Sequence, residues 1–155
     1  MTDRDFMKIA LEEARQAAAE NEVPVGAVVV CEENIVARAH NRRMASGNPM
    51  DHAEIMALRE AAASLGGWRL EGCSVYVTLE PCPMCAGALV QARVARLVFG
   101  ARDPKLGAAG SRYNLVNDET IHHRIEVTDC IMENECGDLL REFFRGRRRD
   151  GREIE

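Results

Sequence analysis

Four residues have the types and the order to do chemistry together: His52, Glu54, Cys82 and Cys85. His52-Ala53-Glu54 supplies an imidazole and a carboxylate, and Pro81-Cys82-Pro83-Met84-Cys85 supplies two thiolates. One His and two Cys give a metal three protein ligands. A structural zinc normally takes four, whereas a catalytic zinc takes three and keeps a position open for water. A Glu beside that position suits proton movement in a hydrolysis. Sulfur and imidazole donors also select zinc over hard cations. Each motif alone is weak. Cys-x-x-Cys also serves structural zinc and redox motifs, and a fourth ligand from Cys73, His122 or His123 would make the site structural. In this order, each at a helix start, the two motifs favour the catalytic arrangement.

The elements that must position these groups follow from periodicity. Residues 3–20 read as a helix, capped by Thr2 or Asp3, with Phe6, Ala10, Ala14 and Ala17 at helical spacing. Residues 25–31 and 35–39 read as a hairpin turning at Glu32-Glu33-Asn34, and 40–51 as a loop broken by Gly47, Asn48 and Pro49. A helix over 52–65 ends at Gly66-Gly67, and a β-branched strand covers 74–79. Pro81 forces a turn after Glu80, and a third helix runs over 82–93 with Pro83 in its first turn. A strand at 96–100, a long loop at 101–118, a short strand at 124–128 and a helix over 132–148 complete the chain. Two strand–helix–strand crossovers predict an α/β fold, a mixed sheet of about five strands with helices on its faces.

This reading places Cys82 and Cys85 in the first turn of a helix, three apart and facing one way, where free N–H groups favour thiolate. His52 comes from the first turn of another helix. Glu54 is two residues after it, and such residues diverge in a regular helix. Glu54 therefore reaches the metal's water only if that helix start is irregular.

Bulk properties narrow the class. The 155 residues suit one domain, 1–149, with a tail at 150–155. Apolar and charged fractions of 46% and 29% are those of a soluble globular chain, and no apolar run approaches a membrane span. The acidic N-terminus is unlike a signal peptide, so a cytoplasmic location is expected. Six cysteines in a reducing compartment favour metal binding over disulfides. Cys31, Cys73, Cys130 and Cys136 read as small buried hydrophobes. Net charge is −5, yet Arg141, Arg145, Arg147, Arg148, Arg149 and Arg152 crowd one end. They are either a solvated helix end or a phosphate-contacting patch.

Histidine-x-Glu followed by Pro-Cys-x-x-Cys is the signature of zinc nucleobase deaminases. Residues 22–28 (EVPVGAV), 51–58 (DHAEIMAL), 78–88 (TLEPCPMCAGA), 98–103 (VFGARD) and 107–111 (GAAGS) extend it. Together they resemble the bacterial tRNA-specific adenosine deaminases, of the cytidine/deoxycytidylate deaminase superfamily, over about residues 5–149. The resemblance implies a three-layer cytidine-deaminase-like α/β fold, a homodimer, one zinc per chain and no organic cofactor. It also implies hydrolytic conversion of adenosine to inosine at the wobble position of a tRNA anticodon. His52, Cys82 and Cys85 would hold zinc and Glu54 would shuttle protons. Val25, Asn41, Ala53, Asp103 and Phe144 would contact the anticodon loop or its flipped base. Two alternatives share the metal motif: a free nucleobase or nucleoside deaminase of guanine or cytosine type, and a non-catalytic zinc-stabilised RNA-binding module.

Overall fold

The computed structural model describes residues 1–149. The tail expected at 150–155, with Arg152, lies outside the described residues. The order is α1 (Asp3–Ala19), β1 (Gly26–Cys31), β2 (Asn34–His40), α2 (Arg43–Ser46), α3 (Ala53–Leu65), β3 (Cys73–Leu79), α4 (Pro83–Gln91), β4 (Arg96–Ala101), β5 (Glu126–Thr128) and α5 (Glu133–Arg149). The strands form one mixed sheet in the order β2-β1-β3-β4-β5. β1 runs antiparallel to β2 and β3, while β3, β4 and β5 are mutually parallel. The β3–α4–β4 crossover joins neighbouring strands, and β2–α3–β3 passes over β1. The α/β architecture is the one expected. The four-residue helix α2 inside the 40–51 loop was not.

Strand alternation sorts the side chains onto two faces. Ala27, Val29, Val75, Val77, Leu97 and Phe99 pack against α3 and α4 through Ala57, Ala61, Ala86 and Leu89. Val28, Val30, Tyr76 and Val98 pack against α1 and α5 through Phe6, Met7, Leu11 and Cys136. Each fully buried Val, Leu or Phe here contributes about 1.5–3 kcal/mol of hydrophobic free energy. Helices on both faces therefore make the sheet the rigid middle layer on which the site is mounted.

Thr2 caps α1 through a reciprocal capping box with Asp5. The hairpin turn is Glu32-Glu33 alone, with Asn34 already in β2. Both glutamates have left-handed φ, 50° and 66°, which a two-residue turn of this hand requires. α1 lies directly on β1: a Cβ on Gly26 would fall 2.0 Å from the Ala10 carbonyl oxygen. The exit of β2 is tied to α1 as well. His40 Nδ1 meets Glu13 at 2.9 Å and Nε2 meets Glu20 at 2.7 Å, and Arg38 Nε donates to Glu13 at 2.7 Å. Asn41 follows at once, so this network fixes where the site begins.

Cys73 and Cys136 are buried as expected, and Cys31 lies half-buried opposite Cys73 in the β1–β3 ladder. Cys130 is exposed. It sits in the connection between β5 and α5 with a φ of 59°, and that turn directs it away from both cores.

Candidate active site

The metal-ligand candidates come together through two helix starts on the same side of the sheet. His52 is the N-cap of α3 and Cys82 the N-cap of α4, both with extended backbone; Pro83 is preset for the first helical position. Cys85 lies one turn into α4 and is fully buried. His52 Nδ1 is 3.7 Å from Cys82 Sγ and 3.5 Å from Cys85 Sγ, and the three ligand atoms lie within 4.8 Å of one another. A tetrahedral zinc with Zn–N of about 2.05 Å and Zn–S of about 2.3 Å has N···S edges of about 3.6 Å. The donor set therefore fits zinc in both chemistry and spacing. None of the fourth ligands considered from sequence joins the cluster, and His122 is exposed. Cys73 faces Cys31, and His123 Nε2 meets the Val94 carbonyl at 2.8 Å.

The electrostatics of the cluster favour a cation. Hydrogen bonding from Cys85, with help from His52, holds the Cys82 thiol down to about 4. The same contact with Cys82, with burial, pushes Cys85 well above the usual thiol range. Hydrogen bonding to Cys82 raises His52. Free N–H groups at the start of α4 add to the pull on negative sulfur.

Glu54 is 4% exposed and its carboxyl is raised to about 7, chiefly by burial. It reaches Cys85 and feels the charge of both Cys82 and His52. The apparent conflict in the His-x-Glu spacing is resolved by the cap. His52 has non-helical backbone, so its side chain is not held to the angular step that separates i and i+2 in a helix.

A cavity of about 650 Å³ opens beside these groups. Its wall includes His52, Glu54 and Cys82, and also Val25, Asn41, Ala53, Asp103 and Phe144, all the substrate contacts expected from sequence. The volume is that of an ordinary small-molecule site and has room for a base with its sugar and phosphate. Asn41 closes its own loop: Nδ2 donates to the Val23 carbonyl at 3.3 Å, and Oδ1 accepts from the Arg43 N–H at 3.2 Å. Phe144 packs edge-on against Phe143, centroids 5.6 Å apart, at the mouth.

Sequence reasoning missed two carboxylates that build this cavity. Glu22 is 1% exposed and accepts the backbone N–H groups of Met44 and Ala45 at 3.0 and 2.7 Å, which fixes the short helix α2 on one rim. Glu80, buried at the end of β3, accepts backbone N–H groups from Asp103, Ala109 and Ser111. Burial would raise its pKa, but these donors and the Ser111 hydroxyl outweigh it and lower it. Neither residue stands out in sequence with a role of its own, although both lie inside stretches that carry the resemblance, 22–28 and 78–88. A further sign is their place next to Val23-Pro24 and Pro81, where the chain cannot continue a helix.

The C-terminal arginines divide by role. Arg141, Arg145 and Arg148 line the cavity mouth. Arg147 is buried instead: its guanidinium donates to the Asn21 carbonyl at 3.2 Å and stacks over Phe143 at 4.9 Å. It pins α5 to the end of α1, so it is no member of a phosphate-contacting surface. Helical periodicity separates it from its neighbours, since residues 145 and 148 share a face that 147 does not. Neutralising Arg145 and Arg148 should weaken RNA binding and flatten the slope of log K against log salt by about 0.7 for each phosphate that then goes unneutralised. Titrations of a labelled RNA hairpin at several salt concentrations check this. An unchanged slope returns both residues to simple solvation.

Residues 1–101 match the family described as the cytidine and deoxycytidylate deaminase zinc-binding region. The chain is 50% identical over 143 residues to a tRNA-specific adenosine deaminase of Bacillus subtilis (strain 168), covering 92% of this chain and 89% of the relative. A solved structure from work on A-to-I editing by tRNA:A34 deaminases at the wobble position of transfer RNA superposes with a TM-score of 0.85. It is 44% identical and covers 88% of this chain and 99% of that one. A guanine deaminase from Bacillus subtilis is also similar, with a TM-score of 0.66, 36% identity and coverage of 72% of this chain and 71% of the other.

Proposed function

Because the chain belongs to the zinc-binding cytidine and deoxycytidylate deaminase family, among its tRNA-specific adenosine deaminases, we propose that it converts adenosine to inosine at the wobble position of a tRNA anticodon. The observation that carries this reading is a three-donor zinc site opening into a cavity whose mouth is lined by Arg141, Arg145 and Arg148. A free base needs no such cationic mouth. An anticodon loop does, because its unpaired bases are splayed out while the backbone stays on the rim.

In this role His52, Cys82 and Cys85 hold the zinc, which when bound supplies the Lewis acidity that makes water nucleophilic near neutral pH. Glu54 moves the protons. It takes one from the attacking water and delivers it to adenine N1 as the C–O bond forms at C6. It then takes the remaining proton of the new C6 hydroxyl and gives it to the departing amino group, which leaves as ammonia. Its burial beside Cys85 excludes bulk water as a competing acid. Val25 and Ala53 line the apolar part of the cavity and Asn41 offers a carboxamide to the nucleotide. Asp103 and Phe144 meet the flanking nucleotides. The direct test is incubation with tRNA followed by sequencing, in which inosine reads as guanosine at the wobble base alone. Parallel incubation with guanine, cytidine and free adenosine separates this activity from free-base deamination, which would release ammonia from those substrates and leave the tRNA unchanged.

The homodimer belongs to the same proposal. Trp68 is 57% exposed and borders an open apolar groove between α3 and α4, lined by Ile55, Leu58, Ala62, Ala88 and Ala92. Ala86, Leu89, Val90 and Val94 are buried in the core, while Ala88 and Ala92, half-buried against it, also line this groove. An exposed tryptophan beside apolar helix faces, rimmed by Arg59 and Gln91, supports association through this side. Trp68→Glu should shift the sedimenting species from two chains to one; a parent that already sediments as a monomer discards the dimer. No helix among the described residues is long and apolar enough to cross a membrane. The cytoplasm, where the tRNA is, is the location proposed.

A further inference from the structure

Glu80 immediately precedes the Pro81-Cys82 turn, at the end of β3, and is 2% exposed. Its two oxygens receive four donors. Oε1 accepts the Asp103 N–H at 3.1 Å and the Ser111 hydroxyl, and Oε2 accepts the N–H groups of Ala109 and Ser111, each at 3.0 Å. A carboxylate has about four lone-pair sites for such donors. All are used, and none is left for a proton or a further N–H.

The segment that donates them runs from the end of β4 towards β5 and contains no helix and no strand of the main sheet. Its other ties to the body are the Ala108 N–H, which bonds to the Pro81 carbonyl at 2.8 Å, an ion pair between Arg102 and Asp129, and the packing of Ala108 and Ala109 in the core; within the segment a single bridge pairs Ala109 with Asn114. The chain folds so closely over the carboxylate that a Cβ on Gly107 would sit 2.4 Å from Glu80 Cδ. This same segment presents Arg102, Asp103, Lys105 and Leu106 to the cavity, with Leu106 more than half exposed. A loop without regular structure would otherwise take many conformations.

Resting on the functional reading above, we infer that Glu80 is a positioning residue for RNA recognition: its carboxylate fixes the 102–111 wall at a set distance from the metal ligand two residues further on. The loop wall meets nucleotides flanking the reacting base, whereas Glu54 and the metal ligands meet the base itself. Loss of the carboxylate therefore acts on KM rather than on kcat. It leaves three backbone N–H groups without a charged acceptor in a buried place, and the loop moves to satisfy them with water.

The test is Glu80→Gln in the zinc-loaded protein, assayed on an anticodon stem-loop RNA, with amide hydrogen exchange and zinc content measured alongside. The carboxamide keeps the shape, but its NH2 faces donors. The expected result is a KM raised roughly tenfold with kcat within about threefold of the parent. Zinc content is unchanged, and exchange is faster at residues 103, 109 and 111 but not in β3 or β4. Unchanged KM overturns the inference, and so does a parallel loss of kcat and zinc, which would make Glu80 part of the metal scaffold. If Glu80→Gln does not fold, Ser111→Ala removes the hydroxyl donor alone and should raise KM about threefold; no change in KM again overturns it. If the parent deaminates no RNA, the functional reading falls separately, and the exchange pattern alone decides: full protection at 103, 109 and 111 in Glu80→Gln rejects the positioning role.

Discussion

Glu54→Gln should retain the zinc content of the parent and lose about a thousandfold in single-turnover rate on tRNA. Glutamine fills the same buried volume and keeps a carbonyl oxygen towards the Cys85 side, so α3 and the ligand set should be retained. What it lacks is the capacity to take up and release a proton. Glu54 is, among the described residues, the carboxylate that reaches the Cys85 side of the cluster, and burial holds its proton affinity near neutrality, at about 7. A group poised there can both accept from water and donate to adenine N1 without a large penalty either way. Glu54→Ala should be slower still, because the cavity it opens admits water without ordering it. Zinc per chain, measured on the same samples, separates this loss from loss of metal. A Glu54→Gln enzyme turning over near the parent rate would remove the residue from the mechanism and pass proton transfer to solvent.

The metal centre was legible in sequence because its constraint is local and chemical. Two sulfurs three residues apart at a proline-initiated helix start have few other uses once His-x-Glu precedes them. The layers were legible for a related reason. Short apolar, β-branched runs at 25–31 and 74–79 and helical spacing from Phe6 to Ala17 mark the elements, and near-continuous burial along β1 and β3 is that of a sheet covered on both faces. The supports of the cavity were not legible, because their meaning lies in contacts of long sequence separation. Glu80 finds its donors 23 to 31 residues away, and Glu22 finds the α2 backbone 22 residues on. Nothing in a glutamate's own neighbourhood says that it is buried. Arg147 shows the converse. Composition grouped it with five other arginines, while its position on α5 turned it inward to Asn21 and Phe143. His52 also shows how a correct residue can be paired with an incomplete geometry. Placing it inside the helix made Glu54 diverge, and the observed N-cap removes that conflict.

Cys85→Ser should be recovered with little or no zinc, no deaminase activity and a melting point independent of chelator. The hydroxyl is nearly isosteric with the thiol, so the fully buried pocket at the first turn of α4 stays filled. A serine hydroxyl, however, does not ionise near neutral pH and is a poor partner for zinc beside imidazole and thiolate. Two ligands then remain of three. Zinc stabilises the parent by mass action, since it binds the folded site and only weakly the unfolded chain; at a thousandfold excess over Kd this amounts to about 4 kcal/mol. For a chain of this size each kcal/mol moves the melting point by about 2–4 °C, so the parent should melt about 10 °C higher with zinc than with a chelator. The ligand sits where α3 and α4 start, two elements of the same core layer, so the loss should be felt across that layer rather than at one loop. In Cys85→Ser the two curves should coincide. The decisive comparison is the chelator-induced shift in parent against variant. A parent whose melting point does not respond to chelator would show that packing alone holds the three donors in place, and a variant that keeps one zinc per chain would remove Cys85 from the ligand set.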